Sequence, residues 1–450
     1  MKNRIIYKML LFGAALWLQT NPILAQETPM TLDQVIDKAL LNNKLYQAKG
    51  LQLEEKRFKV KEDKIKAYPA VSVSSAYQYN ASIGQLTIPQ GTMGVLPLPT
   101  GNVLLPNSEL KFDLGQHQTF NAGATIYQPI SQLTKIKTGV AVAQTDVEIA
   151  TRERTKAALQ IRQSVEKLYY GILITTKQME EANAKLALAK MQFYDLESAK
   201  ISGKTIEPNE SGLQANIADE EQSLLKLEIQ REDYMADLGR LTGLAESNIQ
   251  LAGVALDPVK PSQTLEDYKA GAMEHNVDIQ LADLNKAKSE LGIKAAKLSY
   301  RPDFGIFAGY TYQKGNIIFP QNNPYVGASL KWNVQDLFSN KEVIQQRTLL
   351  SQQAQMVLDD KREEVRNQVE KAYRKIRQAE SLMQVAERAY TYRQQELKVQ
   401  EDKKFAGLNT EADVLHTKSL LAKSEADLFA AQLNYRLAWS DLSILTERYE

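Results

Sequence analysis

The stretch "KAYPAVSVSSAYQYN" (residues 66–80) marks a change from helical to extended periodicity. Before it, charged and aliphatic residues recur at helical spacing, and Pro69 ends that pattern because proline cannot continue a helix. After it, apolar or aromatic residues alternate with small or polar ones. The apolar positions are Val71, Val73, Tyr77 and Tyr79. The alternation predicts a β-strand with one apolar face and one small, polar face.

The same switch occurs a second time, because the chain is duplicated. The segment "TLDQVIDKALLNNKLYQ" (31–47) aligns without gaps with "TLEDYKAGAMEHNVDIQ" (264–280), which begins 233 residues later. The same shift places Pro69 on Pro302. An internal repeat of this kind predicts one supersecondary unit used twice.

Beyond the first strand, the best shift falls to 204 residues and places Gly203 on Gly407. The first half therefore holds 29 more residues between its two strands. Residues 81–118 contain several prolines and glycines, so they are predicted to form a long irregular loop.

Each half is predicted to run helix, strand, loop, strand, long helix, turn, helix. The predicted divisions are a signal peptide (1–25), a first repeat (26–248), a linker (249–263) and a second repeat (264–450). In the first repeat we expect strands at about 70–80 and 118–128, with long helices at about 132–202 and 208–243. In the second we expect strands at about 303–313 and 324–334, with helices at about 338–405 and 410–447.

The four predicted strands each have about the 9–11 residues that a tilted strand needs to cross a bilayer. Aromatic residues near their ends suit the girdle of a membrane barrel; these are Tyr77, Tyr79, Tyr310, Tyr312 and Trp332. A soluble pair of hairpins with one buried face shows the same alternation and stays an alternative. In a membrane, four strands cannot close alone, so two, three or four copies must pool their strands.

The long helices have a heptad stripe of apolar and small residues. Residues 135–200 contain no proline, and positions such as Ile161, Val165, Leu168 and Ile172 recur at steps of three and four. At about 1.5 Å per residue such a helix is on the order of 100 Å long, which favours antiparallel coiled-coil packing over a compact core. A purely fibrous coiled coil would leave the strands unexplained.

The first 25 residues combine basic residues, a ten-residue apolar stretch and "ILA" before Gln26, which predicts a secretory signal cleaved after Ala25. The 55 basic and 54 acidic residues nearly balance, so there is no charge signature of nucleic-acid binding. The chain has no Cys, which excludes disulfides and thiolate metal sites.

An enzyme finds little support in the sequence. The three histidines, His117, His275 and His416, fall in a loop, a helix start and a helix end. The chain contains no HExxH motif, phosphate-binding glycine loop or Cys nucleophile. We therefore predict no catalytic residue, metal ligand or cofactor.

Taken in order, these motifs resemble the TolC-like outer membrane efflux channel family. They are "TLDQVIDKALLNN" and "TLEDYKAGAMEHN", the strand-opening prolines, "QPI" (128–130) and "WNV" (332–334), the two glycine turns, and "DLGRLTG" (237–243). The resemblance covers residues from about 30 to 445. It implies a homotrimer with a 12-stranded outer-membrane barrel, in contact with lipid, and an α-helical tunnel in the periplasm.

The resemblance also implies site residues at the helix ends far from the membrane. Gly203 and Gly407 match the tip turns that dock a periplasmic adaptor, and Asp413 matches an acidic ring at the pore entrance. A solvated acid at a helix start near a tip turn is the alternative interpretation of Asp413. His416 stands where some members have a second Asp, and Asn209 is the first-half equivalent of Asp413. Lys404 and Asn409 occupy the positions of gate residues.

Three functions remain open at this stage. The first is drug or metal efflux with an adaptor and an inner-membrane pump of the RND type. The second is type I protein export with an ABC transporter. The third, from another class, is a periplasmic adaptor or scaffold, although the duplicated helix–hairpin–helix order argues against it.

Overall fold

The computed structural model describes residues 29–99, 101–203, 210–246, 249–254, 264–317 and 319–447. The helices are α1 (Leu32–Asn42), α2 (Lys44–Ile65), α3 (Leu133–Ile201), α4 (Glu210–Thr242), α5 (Leu265–His275), α6 (Val277–Ser299), α7 (Asp336–Phe405) and α8 (Glu411–Thr446). The strands are β1 (Ala70–Tyr79), β2 (Gln85–Ile88), β3 (Gly94–Leu98), β4 (Gly101–Leu105), β5 (Leu110–Asp113), β6 (Gly115–Pro129), β7 (Asp303–Asn316) and β8 (Asn322–Lys331). The predicted signal peptide lies outside the described residues, as does most of the linker.

The chain divides into two units by contact density. Unit 1 comprises residues 1–50, 154–279 and 362–450, and unit 2 comprises residues 51–153 and 280–361. Each unit thus contains parts of both predicted repeats. Unit 2 contains the strands of both halves, and unit 1 contains helices of both halves. None of the helices among the described residues is long and apolar enough to cross a membrane.

Unit 1 is built around a cluster of buried apolar side chains from its helices. Val165, Tyr169, Leu238 and Leu433 are each no more than 1% exposed. Val165 belongs to the predicted heptad stripe, so the stripe packs as expected here. The N-terminus of α1 is fixed by Thr31, whose hydroxyl accepts from the backbone N–H of Gln34 in a capping box.

The predicted single helix before each first strand is instead a pair of helices, divided at Asn43 and at Asn276. Asn43 Oδ1 accepts from the backbone N–H of Tyr46 at 3.0 Å. Asn276 Oδ1 accepts from the N–H groups of Asp278 at 3.0 Å and Ile279 at 3.3 Å. Each asparagine therefore ends one helix and caps the next, because its side chain competes with the helical backbone bonds.

Two separate segments of unit 1 are joined through Met30. Its N–H donates to Gln250 O at 2.7 Å, and its carbonyl accepts from the N–H of Ala252 at 2.9 Å. The buried hydroxyl of Tyr169 lies 2.6 Å from Ala252 O and 3.1 Å from Met30 O. Tyr169 on α3 thus holds the start of the first repeat against the linker.

Unit 2 contains one sheet of four antiparallel strands in the order β1-β6-β7-β8. β1 and β6 come from the first half, and β7 and β8 come from the second. β1 and β8 form the two edges of this sheet. The predicted fold class, mainly helical with a duplicated hairpin and four long strands per chain, is confirmed.

The prediction of an irregular loop at residues 81–118 is wrong. β2 pairs with β5 and β3 pairs with β4, so two short hairpin steps are stacked within the segment that joins β1 to β6. Each of these strands has only four or five residues. Runs that short, interrupted by proline and glycine, show no readable alternation, and only the pairing across the ribbon reveals them.

Candidate channel wall and helical tips

The register of the four-stranded sheet sorts its side chains onto two faces. The polar face carries Ala70, Ser72, Ser74, Ala76, Gln78, Thr119, Asn121, Gly123, Thr125, Tyr127, Gly305, Phe307, Gly309, Thr311, Gln313, Asn323, Tyr325, Gly327 and Ser329. The apolar face carries Val71, Val73, Ser75, Tyr77, Tyr79, Phe120, Ala122, Ala124, Ile126, Phe304, Ile306, Ala308, Tyr310, Tyr312, Asn322, Pro324, Val326, Ala328 and Leu330, and toward the strand ends also Gln118, Gln128 and Lys314. The apolar face and the small, polar face predicted for each strand are therefore continuous across all four strands.

The apolar face is the more exposed of the two. Val73 is 80% exposed, Val326 84% and Leu330 70%. On β8 the polar-face residues Asn323, Tyr325, Gly327 and Ser329 are partly covered, whereas the residues between them are exposed. A soluble hairpin pair would bury its apolar face, so this sheet does not have the surface of a soluble domain.

Aromatic rings on the polar face lie over glycines of neighbouring strands. A Cβ atom at Gly327 would lie 2.6 Å from the Phe307 ring, and one at Gly309 would lie 2.5 Å from Tyr325 Oη. Tyr127 covers Gly305 in the same way. Phe307, which breaks the alternation of β7 in the sequence, is thus accommodated by the bare backbone of Gly327.

The aromatic residues predicted to form a girdle lie toward both ends of the strands. Tyr77 and Tyr79 end β1 and are each 64% exposed, while Tyr310 and Tyr312 pair with the beginning of β8. Trp332 follows the other end of β8, and its indole Nε1 donates to Tyr300 O at 3.0 Å. Amphipathic rings in two such bands match the two interfaces of a membrane.

The second helical tip, in unit 1, is a turn between α7 and α8. Gly407 has φ +70°, a left-handed conformation in which side chains are strained. Its N–H donates to Lys404 O at 2.9 Å, and the N–H of Leu408 donates to Lys403 O at 2.9 Å. This double closure is a Schellman motif, so the glycine stops α7.

Asp413 takes part in the capping box that starts α8. Its Oδ2 accepts from the Thr410 N–H at 2.8 Å and from the Thr410 hydroxyl at 2.7 Å, while its own N–H donates back to Thr410 Oγ1 at 3.2 Å. These bonds, with a smaller contribution from the charge of His416, lower the pKa of the Asp413 carboxyl below its ordinary value. The carboxylate is exposed and ionised at neutral pH.

Two of the other predicted tip residues contact residues of the adjoining helices. Lys404 forms an ion pair with Glu411, and Asn409 Nδ2 donates to Gln400 O at 3.1 Å and Oε1 at 2.9 Å. His416 is exposed, three residues after Asp413.

The first tip is described only in part. Gly203 also has φ +70°, and its N–H donates to Lys200 O at 3.1 Å. Lys200 forms an ion pair with Glu210 at the start of α4. Asn209 lies outside the described residues. The two tips thus share a left-handed glycine and a lysine–glutamate pair, which fits the predicted duplication.

Sequence reasoning offered Asp413 as a helix-start acid only as an alternative and did not identify its capping box, and it missed the rings over glycine. The capping role of Asp413 is written in the Thr410-x-x-Asp413 pattern, which occurs also as Thr264-x-x-Asp267 at α5. The rings over glycine have only a weak sequence signal, namely glycine inside a strand, because the ring lies on a different strand. Within the described residues, no group of three or more His, Cys, Asp or Glu could hold a metal ion.

Comparison with known protein families helps to choose among the predicted functions that the geometry leaves open. Residues 271–446 match the family described as outer membrane efflux protein. The match lies within the predicted second repeat and confirms the resemblance predicted from the sequence. The family description agrees with the predicted outer-membrane location. None of the curated proteins matches the chain.

Solved structures share the fold across both halves of the chain. The Campylobacter jejuni CmeC outer membrane channel has a TM-score of 0.71 and 12% identity, with 92% of this chain and 85% of that chain covered. The outer-membrane channel OprN has a TM-score of 0.71 and 14% identity, with 92% and 89% covered. The outer membrane protein VceC from Vibrio cholerae has a TM-score of 0.69 and 15% identity, with 92% and 94% covered.

Proposed function

We propose that this chain is the outer membrane channel of a tripartite efflux or secretion system. Three copies pool their four-stranded sheets into one 12-stranded barrel, and their long helices form a tunnel in the periplasm. The channel conducts substrates passively from a periplasmic adaptor and an inner-membrane pump to the exterior. The chain itself carries out no catalytic step.

The exposed apolar face of the sheet carries this proposal. Side chains such as Val73, Val326 and Leu330 are unfavourable in water, and lipid removes that penalty in proportion to the apolar area covered. The small and polar side chains of the opposite face suit a wall in contact with water. A strand with both properties is required only where lipid and an aqueous pore lie on its two sides.

The edges of the sheet require more than one copy. The backbone groups at the outer edges of β1 and β8 find no partner strand in the part of the chain described here. An unpaired edge in lipid costs several kcal/mol per group, so it must be closed by another chain. β1 and β8 run in opposite directions, so β1 of one copy can pair antiparallel with β8 of the next. The family resemblance supplies the number three.

The tips supply the contact with the adaptor. Gly203 and Gly407 each end a long helix in an exposed turn, where a partner protein can approach the backbone. The pump behind the adaptor, of RND or ABC type, selects the cargo, because the channel only lines the exit. Asp413 contributes a negative charge near one tip, and three copies repeat it as a ring.

The first test is extraction of the protein from outer membranes in mild detergent, followed by mass measurement and negative-stain imaging. We expect a threefold particle with a detergent belt at one end and a long tube, and ion conductance after insertion into a planar bilayer. A monomer that remains soluble without detergent would overturn the proposal. A trimer without conductance would overturn the channel function and keep only the assembly.

A further inference from the structure

We propose that the ribbon formed by residues 85–113 (β2–β5) packs on the turn between β7 and β8 of a neighbouring copy, and clamps the copies together beyond the membrane. This inference rests on the proposed function, since it needs the copies to meet at β1 and β8. The occupant of the ribbon's apolar surface is thus a second copy of this chain.

The ribbon is an addition that the sheet itself does not need. The repeat comparison leaves 29 extra residues in the first half, and residues 85–113 number 29. Gly84 and Leu114 flank the ribbon and are hydrogen-bonded, with the Leu114 N–H donating to Gly84 O at 2.8 Å. Without the ribbon, the loop that joins β1 to β6 would be about as short as the loop that joins β7 to β8.

The surface of the ribbon is unusually apolar. Residues 85–108 contain no charged residue. On β2 and β5, the four apolar residues Leu86, Ile88, Leu110 and Phe112 share one face, while Gln85, Thr87, Lys111 and Asp113 share the other. Leu86 and Phe112 are each 50% exposed. An apolar surface rimmed by polar groups is typical of a contact with another protein.

Lipid does not fit as the occupant. In the described residues the ribbon is only two strands wide, so both of its edges present backbone groups without a partner strand. Such groups are not tolerated in hydrocarbon. Pro97 within β3 also removes a backbone donor from an edge, which disfavours edge pairing with a further strand and leaves face packing.

The position of the ribbon selects a second copy. β2 follows β1 after residues 80–84, and β1 is the edge that meets β8 of the next copy in the proposed barrel. The antiparallel direction places the β7–β8 turn of that copy beside the base of the ribbon. This turn exposes two large apolar side chains, Ile317 at 65% and Phe319 at 56%. Both apolar surfaces are covered if the copies meet there.

Cysteine crosslinking between two differently tagged copies tests the contact, because the chain has no Cys. One copy carries Leu86→Cys and the other carries Phe319→Cys, so a disulfide joining them must be intermolecular. The matched control replaces Leu86→Cys by Lys111→Cys, on the polar face of the same ribbon. We expect a covalent dimer with Leu86→Cys on mild oxidation of the native membrane, and loss of that product with Lys111→Cys.

A second variant measures the consequence for the assembly. Deletion of residues 85–113 should leave a membrane-inserted, conducting trimer that dissociates at a lower temperature than the full chain. Equal crosslinking from both ribbon faces, no crosslink in an intact trimer, or unchanged heat resistance of the deletion variant would overturn the clamp and leave the channel standing. A native sample with no oligomer would instead overturn the proposed function, and the clamp with it.

Discussion

The hydroxyl groups of Tyr325 and Thr125 lie 2.6 Å apart, although β7 separates their two strands. Both residues are register partners of Gly309, one from each side. Because Gly309 has no side chain, the tyrosine ring crosses it and reaches the threonine. Tyr325 therefore links three strands on the face that we assign to the pore, and it joins the strands of the first half to those of the second.

We expect Gly309→Ala to destabilise the sheet. Its Cβ would lie 2.5 Å from Tyr325 Oη and 2.7 Å from the backbone oxygen of Ala124, and the backbone atom cannot easily yield. Overpacking of this kind costs about 1–3 kcal/mol. The measurement is the temperature at which the detergent-extracted trimer dissociates. The control is Ala308→Val on the exposed apolar face, which should leave that temperature unchanged; equal effects of the two changes would argue against the packing role.

Adjacent residues of β1 test which face meets lipid. Val73→Lys places a charge on the apolar face and should reduce insertion, since Lys at mid-membrane on a lipid face costs about 2–4 kcal/mol. Ser74→Lys places the same charge on the polar face and should insert normally and shift ion selectivity toward anions. Outer-membrane levels and reversal potentials measure the two effects. The assignment of faces is wrong if Ser74→Lys is the variant that fails to insert.

The charge of Asp413 can be separated from its capping role. We expect Asp413→Asn to reduce cation selectivity and blockade by trivalent cations, because it removes the charge and keeps an accepting oxygen. Asp267→Asn, in the equivalent capping box of α5, is the matched control and should change neither property. If both variants conduct like the unmodified channel, Asp413 serves only to start α8.

The pH dependence of this site follows from the lowered pKa of Asp413. The stabilising bonds from Thr410 are fully present above the ordinary value of 3.8 and are lost as pH falls through the lower value in the folded chain. The decline of cation selectivity on acidification should therefore be centred below pH 3.8. A decline centred well above pH 3.8 would assign the selectivity to other groups.

Tyr169 should make unit 1 sensitive to alkali. Burial, with a contribution from Tyr170, raises its pKa from 10.0 to about 12. The neutral hydroxyl stabilises the fold fully below pH 10, and this contribution is lost as pH rises from 10 through about 12. Tyr169→Phe should lower the free energy of unfolding by about 1–3 kcal/mol, because the partly buried carbonyl of Ala252 loses the donor that Tyr169 supplies.

The control for Tyr169 is its repeat equivalent, Tyr373, which packs against Tyr268 with ring centroids 6.1 Å apart. Urea unfolding of both Phe variants between pH 8 and 11 makes the comparison. Tyr169→Phe should flatten the pH dependence of the free energy of unfolding near pH 10, whereas Tyr373→Phe should retain that dependence. The same dependence in both variants would assign the alkaline loss to another group.

The effect of substituting a tip glycine should depend on whether the new residue tolerates a left-handed backbone conformation. A Cβ at Gly203 or Gly407 meets no atom within 4 Å among the described residues, so only the left-handed φ opposes it. Gly407→Val should strain the turn by about 1–2 kcal/mol, whereas Asn tolerates this conformation. We expect Gly407→Val to abolish export with trimer and barrel intact, and Gly407→Asn to retain it. Normal export by the valine variant would place the docking surface elsewhere.

Much of the fold was predictable because it depends on local periodicity. Alternation in "AVSVSSAYQY" gives a strand at Ala70–Tyr79, and the heptad stripe through Val165 gives the buried line of α3. The division of each opening helix at Asn43 and Asn276 was not predicted. It depends on side chains that bond to the backbone on one side of the break, a local competition that apolar spacing does not record.

The helix and strand periods and the two unlike faces of the strands could be predicted because they depend on residues close together along the chain, and the duplication could be predicted because one pattern recurs 233 residues later. The pairing of the strands, the positions of Phe307 and Tyr325 over glycines and the ribbon at residues 85–113 emerged from the three-dimensional structure. These features depend on register between segments up to 200 residues apart. Register is set by pairing and packing across strands, and no periodicity along a single strand contains it.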